Sequence, residues 1–391
     1  MAVPKLRFKA DDGSNYPELT VAKLDDLCEK IGDGLHGTPI YSQTGNYYFI
    51  NGNNLENGKI IVSSDTPKVN DSVFEKNNKE LNDSTILMSI NGTIGKVAYY
   101  NNEKVMLGKS VAYFKVNYKC IKEYCYQLIQ TANVQCQFQK GLTGSTIKNL
   151  GLNTIKNTNV KVPCLPEQQE IAEFLSTIDT VIEKQKETVS AWEERKKGVT
   201  QKLFSQEVRF KADDGSEFPE WEERKLGECC DILDSKRKPI SKENRVLGKY
   251  AYYGSTNIQD YINEYLFDEP LVLLAEDAGP FDDFWNKAIA QFATGKFWVN
   301  NHAHVLRPHE NRKYFFYSLE HRDIRVYINN PSRGKLNQED MVKIPMYMPC
   351  LAEQQKIADC LSSLDEVIEK QKATLAAWEE LKKGLLQQMF V

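Results

Sequence analysis

The sequence predicts an α+β protein: two α+β domains separated by two long antiparallel coiled-coil helices, in an internal pseudo-two-fold, circular repeat. Three observations lead there. A 42-residue segment occurs twice, at 163–204 and 349–390, with 27 identities and no gap. A linker, RFKADDGS, is identical at 7–14 and 209–216, and continues as Tyr16-Pro17-Glu18 and Phe218-Pro219-Glu220. Between these repeats lie two unlike segments rich in Gly, Asn, Tyr and β-branched residues. A self-similarity this strong organises the chain before any local feature does.

The order is linker, variable segment, helix, repeated once. The expected boundaries are a linker at 1–19, a first domain at 20–162 and a helix at 163–204. A second linker at 205–221, a second domain at 222–348 and a second helix at 349–391 follow. Such a chain reads as a ring opened inside one linker.

The repeated segment is helical by its period. Ile171, Leu175, Ile178, Ile182, Gln185, Val189, Trp192, Lys196, Val199 and Leu203 step alternately by four and three. Ile357, Leu361, Leu364, Ile368, Gln371, Leu375, Trp378, Lys382, Leu385 and Met389 repeat the pattern. This is an a/d seam of more than four heptads, the mark of helices packing on one another. Pro166 suits a first helical turn, and Glu167 and Glu170 suit the positive end of the dipole. About 38 residues at ~1.5 Å each span roughly 57 Å. In an antiparallel pair, Gln185 and Gln371 are expected to face each other, with Trp192 near Leu364 and Ile178 near Trp378.

In the first variable segment, strands are expected at 47–50, 59–63, 85–89, 96–100 and 110–116, with a helix at 123–139. In the second they are expected at 249–253, 271–276, 287–292 and 303–307, with a helix at 312–329.

Composition narrows the function. The chain has 391 residues, 41% of them hydrophobic, more than one core accommodates. No apolar run approaches the ~18–20 residues of a membrane span. Nine cysteines, an odd number with no C-x-x-C pair, read as reduced thiols of a cytoplasmic protein without a zinc site. The net charge of −4 argues against a uniformly basic nucleic-acid binder, but a local basic groove suffices. Residues 20–160 carry 15 Lys and no Arg against 12 acids, whereas each long helix segment is −2.

The duplicated P-x-x-E-Q-Q-x-I-A-x-x-L-x-x-I/L-D, at 163–179 and 349–365, together with the unlike domains before it, is decisive. The stretches 32–39 (GDGLHGTP) and 91–96 (NGTIGK) add to it, and the combination is specific where no one motif alone is. Over essentially its whole length the chain resembles the specificity (S) subunit of type I restriction-modification systems. The resemblance implies that each variable segment is a target recognition domain reading one half of a bipartite double-stranded DNA site. It implies that the helices set the spacing and dock two modification (methyltransferase) subunits, joined by ATP-dependent restriction subunits.

Candidate DNA contacts follow. The two family-like stretches give His36, Thr38, Asn91, Thr93 and Lys96. The loops 141–148 (GLTGSTIK) and 332–335 (SRGK) precede the helices at comparable places, and their small polar residues and cations suit phosphate. They give Ser145, Lys148, Arg333 and Lys335. The run Lys236, Arg237, Lys238 and the amide of Asn257 complete the set. Without Arg, the first domain lacks the commonest guanine contact.

No catalytic motif is present: no G-x-x-x-x-G-K-S/T, no G-x-G-x-x-G, and Asn330-Pro331 is followed by Ser332 rather than Pro-aromatic. The chain is therefore expected to be a non-catalytic subunit without cofactor. His302 and His304 alternate on an expected strand, but no acid or cysteine in the sequence evidently joins them as a metal set. A coiled-coil adaptor whose β-rich domains bind protein or glycan ligands fits the same architecture, and salt-dependent DNA binding distinguishes the two.

Overall fold

In a computed structural model the chain is described over residues 4–329 and 334–390. It forms two compact units, one of residues 1–186 with 373–391 and one of 187–372.

The first unit is built on an antiparallel sheet ordered Cys28–Asp33, Val111–Val116, Thr85–Ser89, Val97–Tyr99. Its central strands are buried on both faces. Ile86, Met88, Ala112 and Phe114 turn into one apolar cluster, while Leu87, Val111 and Tyr113 turn into another. This is the two-residue period of a strand applied to an unbroken apolar run. A smaller sheet orders Lys68–Val69, Tyr47–Ile50 and Val105–Leu107, the last two parallel. The helix expected at 123–139 is two helices, Lys122–Ile129 and Ala132–Lys140. The break is a cap: Thr131 is extended, donates its hydroxyl to the Leu128 carbonyl at 2.8 Å and accepts from the Val134 N–H.

The second unit repeats the plan. Its sheet runs Cys230–Ile232, Ala303–Pro308, Leu271–Ala275, Ala290–Ala293, again antiparallel. A second sheet orders Ile258–Ile262, Leu247–Tyr253, Lys296–Val299 and Phe267–Asp268. The helix expected to reach 329 stops at Glu320.

The long helices are Leu165–Phe204 and Leu351–Met389. In the first unit Ile171, Leu175, Ile178 and Ile182 are buried in a cluster with Leu375, Trp378, Leu385 and Met389. Asp179 pairs with Lys382 at 2.6 Å and Lys186 with Glu379 at 3.0 Å, so numbers rise on one helix as they fall on the other. The second unit is also antiparallel: Glu193 pairs with Lys372 at 3.0 Å and Lys196 with Asp365 at 2.7 Å. There Leu203 joins Ile357, Leu361 and the half-buried Leu364. Ile368 is buried, and Gln185, Trp192 and Gln371 are half-buried.

The circular repeat has a direct signature. In the second unit the Val208 N–H donates to the Lys202 carbonyl at 3.2 Å, joining helix end to linker within continuous chain. In the first unit the equivalent bond, Leu6 N–H to Gln388 carbonyl at 3.1 Å, joins the two ends of the chain. Likewise Tyr314 packs on Phe204 and Tyr124 on Phe390.

The repeated motifs are anchors. Arg7 binds the buried Glu167 through Nε and Nη2, and donates to the Pro17 carbonyl. Arg209 binds the buried Glu353 in the same way and donates to the Pro219 carbonyl. Gln168 and Gln354 each donate to the carbonyl of the motif's own proline, Pro163 and Pro349.

Candidate nucleic-acid interface

In the first domain three loops distant in sequence converge. The segment 33–38 leaves the strand Cys28–Asp33, and 90–95 leaves Thr85–Ser89. The third is the hairpin of Leu142–Thr143 and Asn149–Leu150. The Leu150 N–H donates to the Ile90 carbonyl at 2.9 Å and the Gly92 N–H to the Lys148 carbonyl at 3.1 Å. Asn91 bridges to Asn149. Gly92, at φ +71, makes the turn that frees Thr93 to solvent. A Cβ at Gly34 would strike the Leu107 carbonyl, so glycine is what lets the first loop lie against the fold. Asp33, His36, Asn91, Lys109, Asn149 and Asn153 line an open cleft of about 560 Å³. Asp33 and His36 are hydrogen-bonded at 2.6 Å.

The second domain places its loops on the same frame. The Leu336 N–H donates to the Glu276 carbonyl at 2.7 Å, and Asp277 bridges to Lys335. The Ser255 hydroxyl donates to the Asp277 carbonyl at 2.6 Å, bringing in the turn that contains Asn257.

Chemically, the first cleft offers amides, an imidazole and one lysine, Lys109, around one carboxylate. Amides and imidazole have both donors and acceptors for base edges, and lysines suit phosphate. His36, Thr38, Thr93, Ser145 and Lys148 are exposed, while Asn91 and Lys96 are half-buried. The Lys96 backbone N–H donates to the Ser89 hydroxyl at 2.9 Å. In the second domain Lys236, Lys238, Asn257 and Lys335 are exposed. Arg333 lies outside the described residues.

Two sequence expectations change. Arg237 is not a free cation: it bonds Glu276 at 2.5 Å and the Ala303 carbonyl at 2.8 Å, and pairs with Asp234 at 3.3 Å. With the Asp234 carbonyl, 3.2 Å from Nε, these four acceptors leave little of the guanidinium for phosphate. And acids do accompany the histidines. His304, buried, has Nδ1 at 2.5 Å from Asp234 and Nε2 at 2.9 Å from the Leu336 carbonyl. A carbonyl only accepts, so Nε2 carries a proton. Asp234, Glu276 and His304 are close enough to hold a metal ion, but Arg237 already brings positive charge to both carboxylates. His302 belongs to another pair, with Asp277 at 2.7 Å.

Sequence reasoning missed Lys109, Asn149 and Asn153 in the first cleft and Ser255 and Asp277 in the second domain. No local pattern marks them; they meet only through the pairing of Asn91 with Asn149 and of Asp277 with Lys335.

The family model of the type I restriction modification DNA specificity domain matches this chain twice, over 17–190 and 219–377. The chain belongs to this family. Each match takes in one target recognition domain and continues into the long helix behind it. Among relatives, the MjaVIII type I specificity subunit of Methanocaldococcus jannaschii is 22% identical over 97% of this chain and 94% of its own length. A Haemophilus influenzae protein bearing the name of a type I specificity subunit is 36% identical over a shorter region, 39% of this chain and 38% of that protein. The crystal structure of the S subunit from M. genitalium aligns over 100% of this chain and 99% of that one, with TM-score 0.61 and 18% identity. That likeness is one of fold. Among the described residues no helix of this specificity subunit is long and apolar enough to cross a membrane.

Proposed function

We propose that this specificity subunit reads a bipartite double-stranded DNA site, residues 20–162 reading one half and 222–348 the other. The reading is carried by one observation: in both domains a four-stranded antiparallel sheet of the same plan gathers polar loops onto one face, with different side chains on each. Two unlike faces on one frame suit two unlike half-sites. In this reading the chain works in the cytoplasm, is itself non-catalytic and docks two modification subunits and, with them, restriction subunits. Phosphate contacts come from Lys148, Lys335, Lys236 and Lys238, and base-edge contacts from His36, Asn91 and their neighbours Asn149 and Asn153.

The test is methylome sequencing of cells that co-express the chain with its modification subunit. Exchanging residues 20–160 for the first domain of another family member should change one half of the methylated site and leave the other. A change in both halves refutes the modular reading. The purified chain alone should transfer no methyl group and cut no DNA; either activity refutes the non-catalytic assignment.

A further inference from the structure

We propose that the second unit carries a binding pocket for a small molecule that joins a flat aromatic body to a carboxylate. The pocket, about 230 Å³, is lined from the end of the first long helix, the helix Arg312–Glu320 with the turn after it, and the strand Pro345–Met348. Phe204, Trp221, Trp285, Tyr317 and Tyr347 face it, with Arg322 among them.

Two features distinguish it from an apolar dent. Arg322 is held among aromatic residues with no acid paired to it among the described residues. Its Nη1 lies 3.4 Å from the Met346 sulfur, and its guanidinium 5.9 Å from the Tyr347 ring centre. Burial pushes its pKa below the ordinary guanidinium value, whereas the carboxylate-paired Arg209, Arg224 and Arg307 are held above it. The second feature is Thr200, a lining residue whose buried hydroxyl has no hydrogen-bond partner among the described residues. A guanidinium without a paired carboxylate, beside a hydroxyl without a partner, describes half of an interaction.

The internal repeat supplies a control. When Tyr124 is matched to Tyr314, which pack alike on the helix-terminal phenylalanines, Ala132 stands where Arg322 does. The linker repeat puts Leu19 at the place of Trp221. Strand pairing puts Lys161 at the place of Tyr347. The shared fold is therefore built without these groups, and the pocket is an addition of the second unit.

The ligand's chemistry follows from the walls. Guanidinium prefers a planar carboxylate, which it binds in a bidentate fork. Lys197, 5.2 Å from the centre of the Trp285 ring, donates to Asn286 at 2.9 Å and pairs with the exposed Glu194 only at 3.9 Å, so its charge adds, more weakly than that of Arg322, to the preference against a cation. Aromatic walls favour an aromatic body. The volume is below the ~300–1,000 Å³ of usual ligand pockets, which favours one or two fused rings over a peptide or a nucleotide.

The experiment is calorimetric titration of the full chain with indole-3-acetate, 3-methylindole and tryptamine. The acid should bind with Kd on the order of 0.1–1 mM, and the neutral and cationic analogues at least ~10-fold more weakly. Arg322→Gln and Trp285→Ala should each weaken the acid ~10-fold or more; Trp285 is partly exposed, so its variant keeps the test valid if Arg322→Gln does not fold. The proposal is overturned by absence of saturable binding up to ~10 mM, by equal affinity for 3-methylindole, or by undiminished binding to the folded variants. Sedimentation showing a dimer that Trp285→Ala dissociates also overturns it, since a second copy then fills the pocket.

Discussion

Replacing Arg209 with Met removes the charge against which Glu353 is buried. The Glu353 side chain is 0% exposed and accepts from Arg209 Nε at 3.1 Å, Arg209 Nη2 at 2.8 Å and Trp221 Nε1 at 3.0 Å. Met retains much of the aliphatic stem, so the loss is chiefly electrostatic. It leaves a carboxylate out of water with one indole donor, a cost of about 3–5 kcal/mol. In a unit of this size each kcal/mol lowers the melting temperature by ~2–4 °C, so a fall of about 10 °C is expected by scanning calorimetry of the full chain. Adding Glu353→Gln should recover about half of that fall, because a neutral amide needs no counter-charge. A fall below ~2 °C, or a double variant as unstable as the sum of the singles, refutes the reasoning. Arg7→Met should act on the first unit in the same way, through Glu167.

Lys148→Ala should weaken DNA binding about evenly across sequences and flatten the salt slope by about one; an unchanged slope removes Lys148 from the phosphate contacts. Arg237→Gln should lower the melting temperature, since Glu276 and Asp234 lose their cation, and leave the salt slope unchanged. A flatter slope there would restore Arg237 as a phosphate contact. The hydrogen bond from Arg307 holds the Glu269 carboxyl below its ordinary pKa. Its contribution is thus fully present above the unfolded value of ~4.3 and is lost as pH falls through the lower folded value. Glu269→Gln should therefore cost stability at neutral pH and make the acid limb below about pH 4.5 shallower; equal slopes in urea unfolding count against it.

The scaffold was legible because its signals are long. Four heptads and a duplicated linker outweigh any local ambiguity, and the helices follow them to within a few residues. Strands at 85–89 and 111–116 were legible as apolar runs. Others were not. Val105–Leu107 is three residues whose role depends on parallel pairing with Tyr47–Ile50, a partner far away in sequence. The break at Thr131 was hidden because a capping threonine inside a helical pattern looks like any other until its hydroxyl finds the Val134 N–H. The ion pairs of Arg7 and Arg209 were present in the sequence as identical letters in both repeats, but identity does not say which acid they meet. The candidate face was the least legible part, since Lys109, Asn149 and Asp277 reach it through tertiary pairing alone.

The matching backbone of the two domains allows a position-by-position comparison. The Ile90 N–H donates to the Ser110 carbonyl as the Glu276 N–H does to that of His302. Leu150 donates to Ile90 as Leu336 does to Glu276. Ile90 therefore corresponds to Glu276, Ser110 to His302 and Ala112 to His304. Where the first domain packs Ile90 and Ala112 into its apolar core, the second places an ionic set of Glu276, His304, Asp234 and Arg237. Such a set brings little net stability over apolar packing, because desolvating its charges offsets their attraction. What it adds is orientation. Glu276 is fixed by Arg237 and faces Lys335 at 3.4 Å, while its neighbour Asp277 is fixed by His302. The second domain thus sets its exposed polar groups from a charged layer beneath them, and the first sets Asn91 and Asn149 from backbone pairing over an apolar one. Exchanging single face residues between the domains would carry neither support with it, so a change of half-site is expected from whole-domain exchange and not from point grafts.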